Sequence, residues 1–514
     1  MTGAAGRRTA ADNAGANAAG NPHAHPLTTV DKITLGYQRA YPRTRLAVGN
    51  LLVGHGPAPD IEDLRDLVAR RADAFPPLTH RLARAGWGRL AWVPDATFDP
   101  ARHVGERRIA AGSGIVGLRA AIEELSTLEI PMTAAPWQMW LLHGDAPDRF
   151  ALLFRGSHAR MDGSALDLVL GKLFGPPEPP EPPEPGTMPA PRRPLPDRRR
   201  HSVPALARAA AQAAGWLTRT TTIGPLAAAP TGGTRHAWLE IDLARMRATG
   251  RAYGATVNDI FLAALAGALR AWYPPEAAPP DRPGRAGRAD RAARADGLAV
   301  HAAVPVSTRV AAQRDVVGNY LSTVRIALPY GEPSRRHRVD AIRRQTDRLR
   351  RDGAPGVAER LFVWLVPAPL RTAALATALA TRGFALTASN PAGLTGPFEI
   401  LGRPVVDAVP VPPVPAGQRL AVLLSGLDDQ VRIGFTTDAS VPGHDRLAAL
   451  FAAELDALEA GAGLQPDPAA GPVAGPVRSL VEPTIPRPHY PPDTSARPAA
   501  PPVADASATS QTRQ

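Results

Sequence analysis

The chain has 514 residues, a formal net charge of +12 and no cysteine. That length exceeds one hydrophobic core, so two or more domains are expected. The missing cysteine excludes disulfides, thiolate metal sites, iron–sulfur clusters and a cysteine nucleophile, while the positive charge, nearly all arginine, favours anionic partners such as coenzyme A phosphates, an acidic lipid surface or nucleic acid.

Residues 1–25 are rich in Ala, Gly, Asn and Arg without an apolar run, so they read as a disordered tail rather than a secretory signal. A first folded region is expected over 26–175. Leu46–Val53 and Phe150–Phe154 read as strands, and Ile61–Ala74 as a helix capped by Asp60. Asp162-Gly163 reads as a turn opening a helix over Ser164–Phe174. A Pro/Arg-rich linker with an alanine-rich helix at Val203–Thr218 fills 176–234.

A second folded region is expected over 235–460. It holds a strand at Trp238–Leu243, a helix at Val257–Trp272, a flexible insert over 274–297, and strands at Ala299–Val306 and Leu321–Leu328. A basic helix at Ser334–Arg351, an apolar stretch at Leu361–Leu379 broken by Pro367 and Pro369, strands at Arg419–Leu424 and Val431–Thr436, and a helix at His444–Leu458 follow. Residues 461–514 read as a second disordered tail. Strands interleaved with helices on both sides of a linker give an α/β chain with two layered halves. No run of 18 apolar residues is present, so a membrane-spanning helix is not expected.

Chemistry concentrates at Phe154-Arg-Gly-Ser157-His158-Ala-Arg-Met-Asp162-Gly163. A strand ends, a histidine follows, and Asp-Gly comes four residues later. Histidine titrates near neutrality and can take a proton from an alcohol. Asp162 can fix the loop through hydrogen bonds or an arginine pair, and Gly163 permits a tight turn. Taken alone, a surface-loop histidine before a helix cap explains the pattern equally well. His23 and His25 are read as tail residues rather than metal ligands. Gly112-Ser-Gly114-Ile-Val-Gly117 lacks a clear apolar strand before it and is read as a loop leading into a helix. The basic clusters lack aromatic platforms, so nucleic acid is not the expected partner.

The histidine segment resembles the HHxxxDG motif of the coenzyme-A-dependent acyltransferase superfamily. Further segments resemble one family in it, the bacterial wax ester synthase/diacylglycerol acyltransferases. These are Pro26-Leu-Thr-Thr-Val-Asp31, Trp137–Gly144, Gly254–Arg270 with Asn258-Asp259, Val304-Pro-Val-Ser-Thr-Arg309 with Gly318-Asn319, and Ser389-Asn-Pro391. The family's first motif histidine is Ser157 here, and its Pro-Leu-Trp reads Ala135-Pro136-Trp137.

The resemblance covers about residues 26–460. It implies two chloramphenicol-acetyltransferase-like α/β domains with a tunnel between them, and His158 as the base acting on an acceptor hydroxyl beside an acyl-CoA thioester. Acyl-CoA would be a co-substrate with no bound cofactor and no metal; the acceptor would be diacylglycerol or a long-chain alcohol. Asp162 is read as a structural partner of an arginine, with Arg309 as the choice. Ser157, Gly163, Asn258, Asp259, Arg309 and Asn319 are the supporting residues. Asn258 and Asp259 serve the site or cap their helix, and Ser307 and Asn319 are read as turn residues first and polar liners second. The resemblance implies a cytoplasmic chain, with contact to the inner membrane face or a lipid droplet as a further expectation. The alternatives are a condensation-type enzyme using carrier-protein thioesters, or a weakly catalytic paralogue binding lipid or acyl-CoA, which Ser157 favours.

Overall fold

Capping chemistry and apolar periodicity set several elements to the residue. The helix at Ile61–Ala74 spans its expected length, and Asp60 accepts a hydrogen bond from the Glu62 amide at 2.8 Å. The computed structural model describes residues 24–85, 88–176, 220–275, 298–352 and 383–464. The expected helix at Val203–Thr218, the core of the insert, the apolar stretch Leu361–Leu379 and most of both tails lie outside the described residues.

The first half runs β1 (His25–Pro26), α1 (Thr29–Ala40), β2 (Ala47–His55), α2 (Ile61–Ala74), β3 (His80–Ala85), β4 (Arg89–Pro94), β5 (Val104–Arg108), α3 (Gly114–Ser126), β6 (Trp137–His143), β7 (Arg149–Ser157) and α4 (Gly163–Phe174). The second runs β8 (Thr234–Asp242), α5 (Leu243–Tyr253), α6 (Val257–Trp272), β9 (Val300–Ser307), β10 (Leu321–Leu328), α7 (Arg335–Asp352), β11 (Leu386–Ser389), β12 (Glu399–Ile400), β13 (Arg403–Val411), β14 (Leu420–Leu427), β15 (Gln430–Asp438) and α8 (Arg446–Gly461). Mixed sheets with covering helices make this an α/β chain, in agreement with the expected class.

One six-stranded sheet has the order β10-β9-β11-β14-β15-β8 and belongs wholly to the second half. It packs on α6, whose residues from Asp259 to Leu269 are all buried, as an all-round apolar helix must be. The other has the order β12-β13-β2-β7-β6-β5. Two of its strands therefore come from the second half. β13 pairs antiparallel with β2, placing Pro410 opposite Asn50 and Val411 opposite Gly49. Leu394, Phe398 and Ile400 join the apolar cluster beneath the first sheet, together with α2 and α4 residues such as Leu64, Val68, Val169 and Leu170. Buried Asp407 of β13 also pairs with Arg432 of β15 at 2.8 Å, tying one sheet to the other.

One reading is corrected. His25 is part of β1, paired opposite Trp92, and its ring lies tilted against that of His80 with centroids 5.3 Å apart; backbone pairing with β4 holds it despite the polar sequence. The glycine-rich loop leads into a helix as expected, and the strand ahead of it is mostly polar. β5 reads Val-Gly-Glu-Arg-Arg because it is an edge strand with an exposed end, so its apolar signal is weak. Gly112 and Gly114 take positive φ values there, 71° and 54°, which explains the glycines as turn residues entering α3.

Candidate active site

β7 lies between β2 and β6, and every residue from Phe150 to Ser157 is buried. At its end the chain folds back sharply. A side chain at Gly156 would lie 2.2 Å from Met161 Sδ, so glycine lets the buried Met161 side chain pack against the strand end. The Ser157 carbonyl accepts from the Arg160 amide at 2.8 Å, and the His158 amide donates to Leu46 O at 2.9 Å. His158 thus leaves the sheet with its backbone held and its ring half-buried.

The ring meets the second half of the chain. His158 Nδ1 lies 3.2 Å from Asn319 Oδ1. Asn319 is 1% exposed, and its Nδ2 donates to Asp31 Oδ1 at 3.0 Å and to His158 O at 2.8 Å. Both of those partners only accept, so the amide nitrogen must face them and Oδ1 must face the ring. An accepting Oδ1 requires a proton on Nδ1. In the neutral imidazole Nε2 then carries the lone pair. Asn319 is therefore more than the turn residue expected: the fold brings it onto the ring across 161 residues of chain.

Asp31 supports Asn319. It closes a capping box with Thr28 at the start of α1 and accepts from Trp92 Nε1 at 3.2 Å. Buried Arg160 sits over the Trp92 ring at 5.1 Å and donates to Val317 O at 3.2 Å. Burial pushes its guanidinium down to about 10, with Asp31 opposing that shift.

Asp162 pairs with Arg309 at 2.8 Å, both side chains under 10% exposed. Its Oδ1 also accepts from the Ala165 amide, capping α4, and its Oδ2 from the Tyr320 amide, each at 2.8 Å. Arg309 reaches Gln313 O at 2.8 Å, Val316 O at 2.7 Å and Gly318 O at 2.8 Å, and lies over the Tyr320 ring. The pair fixes the β9–β10 loop that carries Asn319. Ser157 is buried with its Oγ near the Ala159 amide (3.3 Å) and Gln38 Nε2 (3.4 Å).

A cavity of about 480 Å³ lies between the halves. His158, Asp162, Gly163 and Ser164 line it beside Ile33 and Tyr37 of α1 and Val48, Gly49 and Asn50 of β2; from the second half come Ala303, Ser307, Leu321, Phe384, Pro391 and Val422. A second cavity of about 490 Å³ includes Arg43, Arg45, Arg155 and Arg419 in its lining. The two share Gly49, Val411, Pro412, Pro413, Pro415 and Gln418. Arg155 is already engaged there, donating to Ser126 O at 3.0 Å and Leu128 O at 3.2 Å at the end of α3.

Asn258 and Asp259 do not line either cavity. Asp259 is fully buried, closes a capping box with Thr256, and accepts from Thr346 Oγ1 at 2.6 Å. Sequence reasoning missed Asp31 as a site residue, although its spacing from Thr28 is a capping-box signal. It also missed Asn50 and Asp167, both in the cavity lining. Burial and the charge of Asp162 push the Asp167 carboxyl up to about 7, with a hydrogen bond from the Gly393 backbone opposing. An acidic residue inside a helix carries no sequence mark of such surroundings.

Comparison with known proteins accords with this geometry. The wax ester synthase/diacylglycerol acyltransferase catalytic domain matches residues 38–261, and the C-terminal domain of the same family matches 317–459. A probable diacylglycerol O-acyltransferase of Mycobacterium tuberculosis is 25% identical over 437 residues, covering 81% of this chain and 91% of the relative. A putative diacylglycerol O-acyltransferase of Mycobacterium bovis is 28% identical over 421 residues, covering 73% and 79%. Among solved structures, the wax ester synthase/diacylglycerol acyltransferase of Marinobacter aquaeolei VT8 superposes with a TM-score of 0.56 at 22% identity, over 85% of this chain and all of that one. The first condensation domain of the CDA synthetase gives 0.55 at 18%, over 88% and 98%. These two likenesses bear on the fold: the two-domain architecture expected from the sequence.

Proposed function

The chain belongs to the wax ester synthase/diacylglycerol acyltransferase family, and on that premise we propose that it moves a long-chain acyl group from acyl-CoA to diacylglycerol or a long-chain alcohol, with His158 as the base. One observation carries the residue assignment: Asn319, its amide orientation set by two acceptors, holds the Nδ1 proton and leaves Nε2 free on a ring that lines the cavity between the halves.

Nε2 takes the proton of the acceptor hydroxyl as its oxygen attacks the thioester carbonyl. The C–S bond then breaks, and coenzyme A leaves with the proton returned from the imidazolium. No acyl-enzyme is needed. The developing oxyanion needs preorganised donors, each worth about 3–4 kcal/mol. The first turn of α4 supplies candidates, because Gly163 and Ser164 line the cavity and the positive end of the helix lies there. Asp162 acts through Arg309 as a positioning residue. Apolar cavity walls favour long chains, at about 25 cal/mol per Å² buried. The Ser157 side chain lies outside the cavity lining, which supports activity without the first motif histidine.

Among the described residues no single helix is long and apolar enough to cross a membrane. The insolubility of the substrates makes peripheral contact with a membrane or lipid droplet part of this proposal, and co-flotation with anionic liposomes tests it.

Purified protein is given palmitoyl-CoA with diacylglycerol or hexadecanol, and coenzyme A release is followed. His158→Ala is expected to lower kcat by about 10²–10⁴-fold with an unchanged melting curve. Equal turnover by the variant overturns the assignment. Turnover that requires an acylated carrier protein favours the condensation-type alternative.

A further inference from the structure

The segment that carries Asn319 is gripped by alternate residues of the histidine loop. The His158 carbonyl accepts from Asn319 Nδ2 at 2.8 Å, Arg160 Nη1 donates to Val317 O at 3.2 Å, and Asp162 Oδ2 accepts from the Tyr320 amide at 2.8 Å. His158 and Asp162 are fixed positions of the histidine motif; Arg160 falls among its variable ones. Arg309 adds to the grip from within the second half, donating to Val316 O and Gly318 O. Three consecutive carbonyls ahead of Asn319 therefore accept from guanidinium groups, and the middle one is held from the histidine's own loop.

Stability alone gives no reason for a cation at position 160. Arg160 is 4% exposed, its side chain makes its one hydrogen bond among the described residues to Val317 O, and its Nε has no partner there. Buried Arg309 and Arg432, by contrast, each pair with a carboxylate at 2.8 Å. A guanidinium held by one carbonyl and the Trp92 face carries a desolvation cost that an apolar side chain would avoid. The carboxylate that opposes this cost is Asp31, which itself accepts from Asn319 Nδ2. The hydrogen bond and the charge of Arg160 thus both act on the groups that orient Asn319.

Resting on the acyltransferase reading, we propose that Arg160 is a positioning residue: it fixes the Val317 carbonyl, and through it Asn319, so that Oδ1 keeps the Nδ1 proton of His158 and Nε2 stays ready for the acceptor hydroxyl. Arg160 lines neither cavity, so it acts through Asn319 and not on substrate. A shift of about 1 Å in such a geometry costs up to about 100-fold in rate.

Arg160→Met keeps an unbranched stem over Trp92 and removes both donor and charge. Its kcat with palmitoyl-CoA and hexadecanol is expected to fall about 10- to 100-fold, with the KM for palmitoyl-CoA within about two-fold of wild type. Nitrogen-15 NMR of histidine-labelled protein, with the His158 signal identified by its loss in His158→Ala, is expected to show Nδ1–H as the main neutral tautomer in wild type and a smaller share of it in Arg160→Met. Arg160→Lys restores the charge and one donor, and the site uses one hydrogen bond rather than a fork, so this variant is expected to recover most of kcat and the wild-type tautomer. A purely structural role would move the melting temperature without moving the tautomer. If Arg160→Met does not fold, Arg160→Gln, neutral and shorter, is read in its place and is expected to lose kcat in the same way. A kcat within about two-fold of wild type in the folded neutral variant, a wild-type tautomer there, or a loss confined to KM overturns the inference. Absence of turnover by wild type with any acceptor sinks the acyltransferase reading instead, and the tautomer comparison, which needs no turnover, still decides whether Arg160 sets the ring.

Discussion

Asp162 and Asp259 look alike in sequence and differ in what the fold makes of them. Each follows a short polar lead into an apolar helix, each is buried, and each caps that helix. Asp162 opens α4, whose first turn faces the cavity, and its second oxygen and Arg309 tie it to the loop that carries Asn319. Asp259 opens α6, whose start packs against α7 through Thr346, with Arg350 at 3.7 Å. Capping is a local property. Whether a capped helix serves chemistry depends on what stands in front of its first turn.

Substitutions break that comparison in order of expected effect. Asp162→Ala strands Arg309 in a buried setting and is expected to cost about 3–5 kcal/mol of stability in a denaturant titration. It should also lower kcat about 10²-fold at temperatures where the variant remains folded, because the Asn319 loop loses its tie. Asp259→Ala is expected to cost about 1–3 kcal/mol, with kcat/KM per folded molecule unchanged. A large loss of kcat in this variant would put the α6 cap in the site after all.

Asn319→Ala tests the ring orientation. It should reduce kcat about 10-fold or more with little change in the KM for palmitoyl-CoA, since it removes the acceptor for Nδ1–H rather than a substrate contact. A change confined to KM contradicts the orientation argument.

Asp167 supplies the pH arm. Its folded carboxyl titrates at about 7 against 3.8 ordinarily. Between those values the folded chain keeps a proton that the unfolded chain has released. Its stability contribution is therefore complete below pH 3.8 and is lost as pH rises through about 7. Asp167→Asn removes this slope and should be more stable than wild type at pH 8 by about 1–3 kcal/mol, read from melting curves at several pH values. The smallest effect is expected from Thr346→Val, about 1 kcal/mol and no change in activity, because it removes one hydrogen bond at the remote cap.

Elements with a strong local signal were legible without the fold. The helix at Val257–Trp272 and the strand at Leu321–Leu328 occupy their expected spans, because the first is apolar all round and the second alternates cleanly. The Asp162–Arg309 pairing was within reach of the ordered motifs. β13 was not. Its sequence Arg-Pro-Val-Val-Asp-Ala-Val-Pro-Val contains two prolines, which argue against a strand between two neighbours, and its partner β2 lies some 350 residues earlier. α1 was also missed, since its apolar face is short and polar residues interrupt it.

Periodicity determined the α/β class, and the resemblance of the ordered motifs gave the family and the histidine that faces the cavity, because these follow from neighbours along the chain. The tertiary structure alone decided that Asn319 and Asp31 orient the imidazole, that β13 leaves its own half to border β2, and that Arg160 meets the loop that carries Asn319. Each of those depends on groups brought together from distant parts of the chain, and a hydrogen bond is defined by what surrounds it in space.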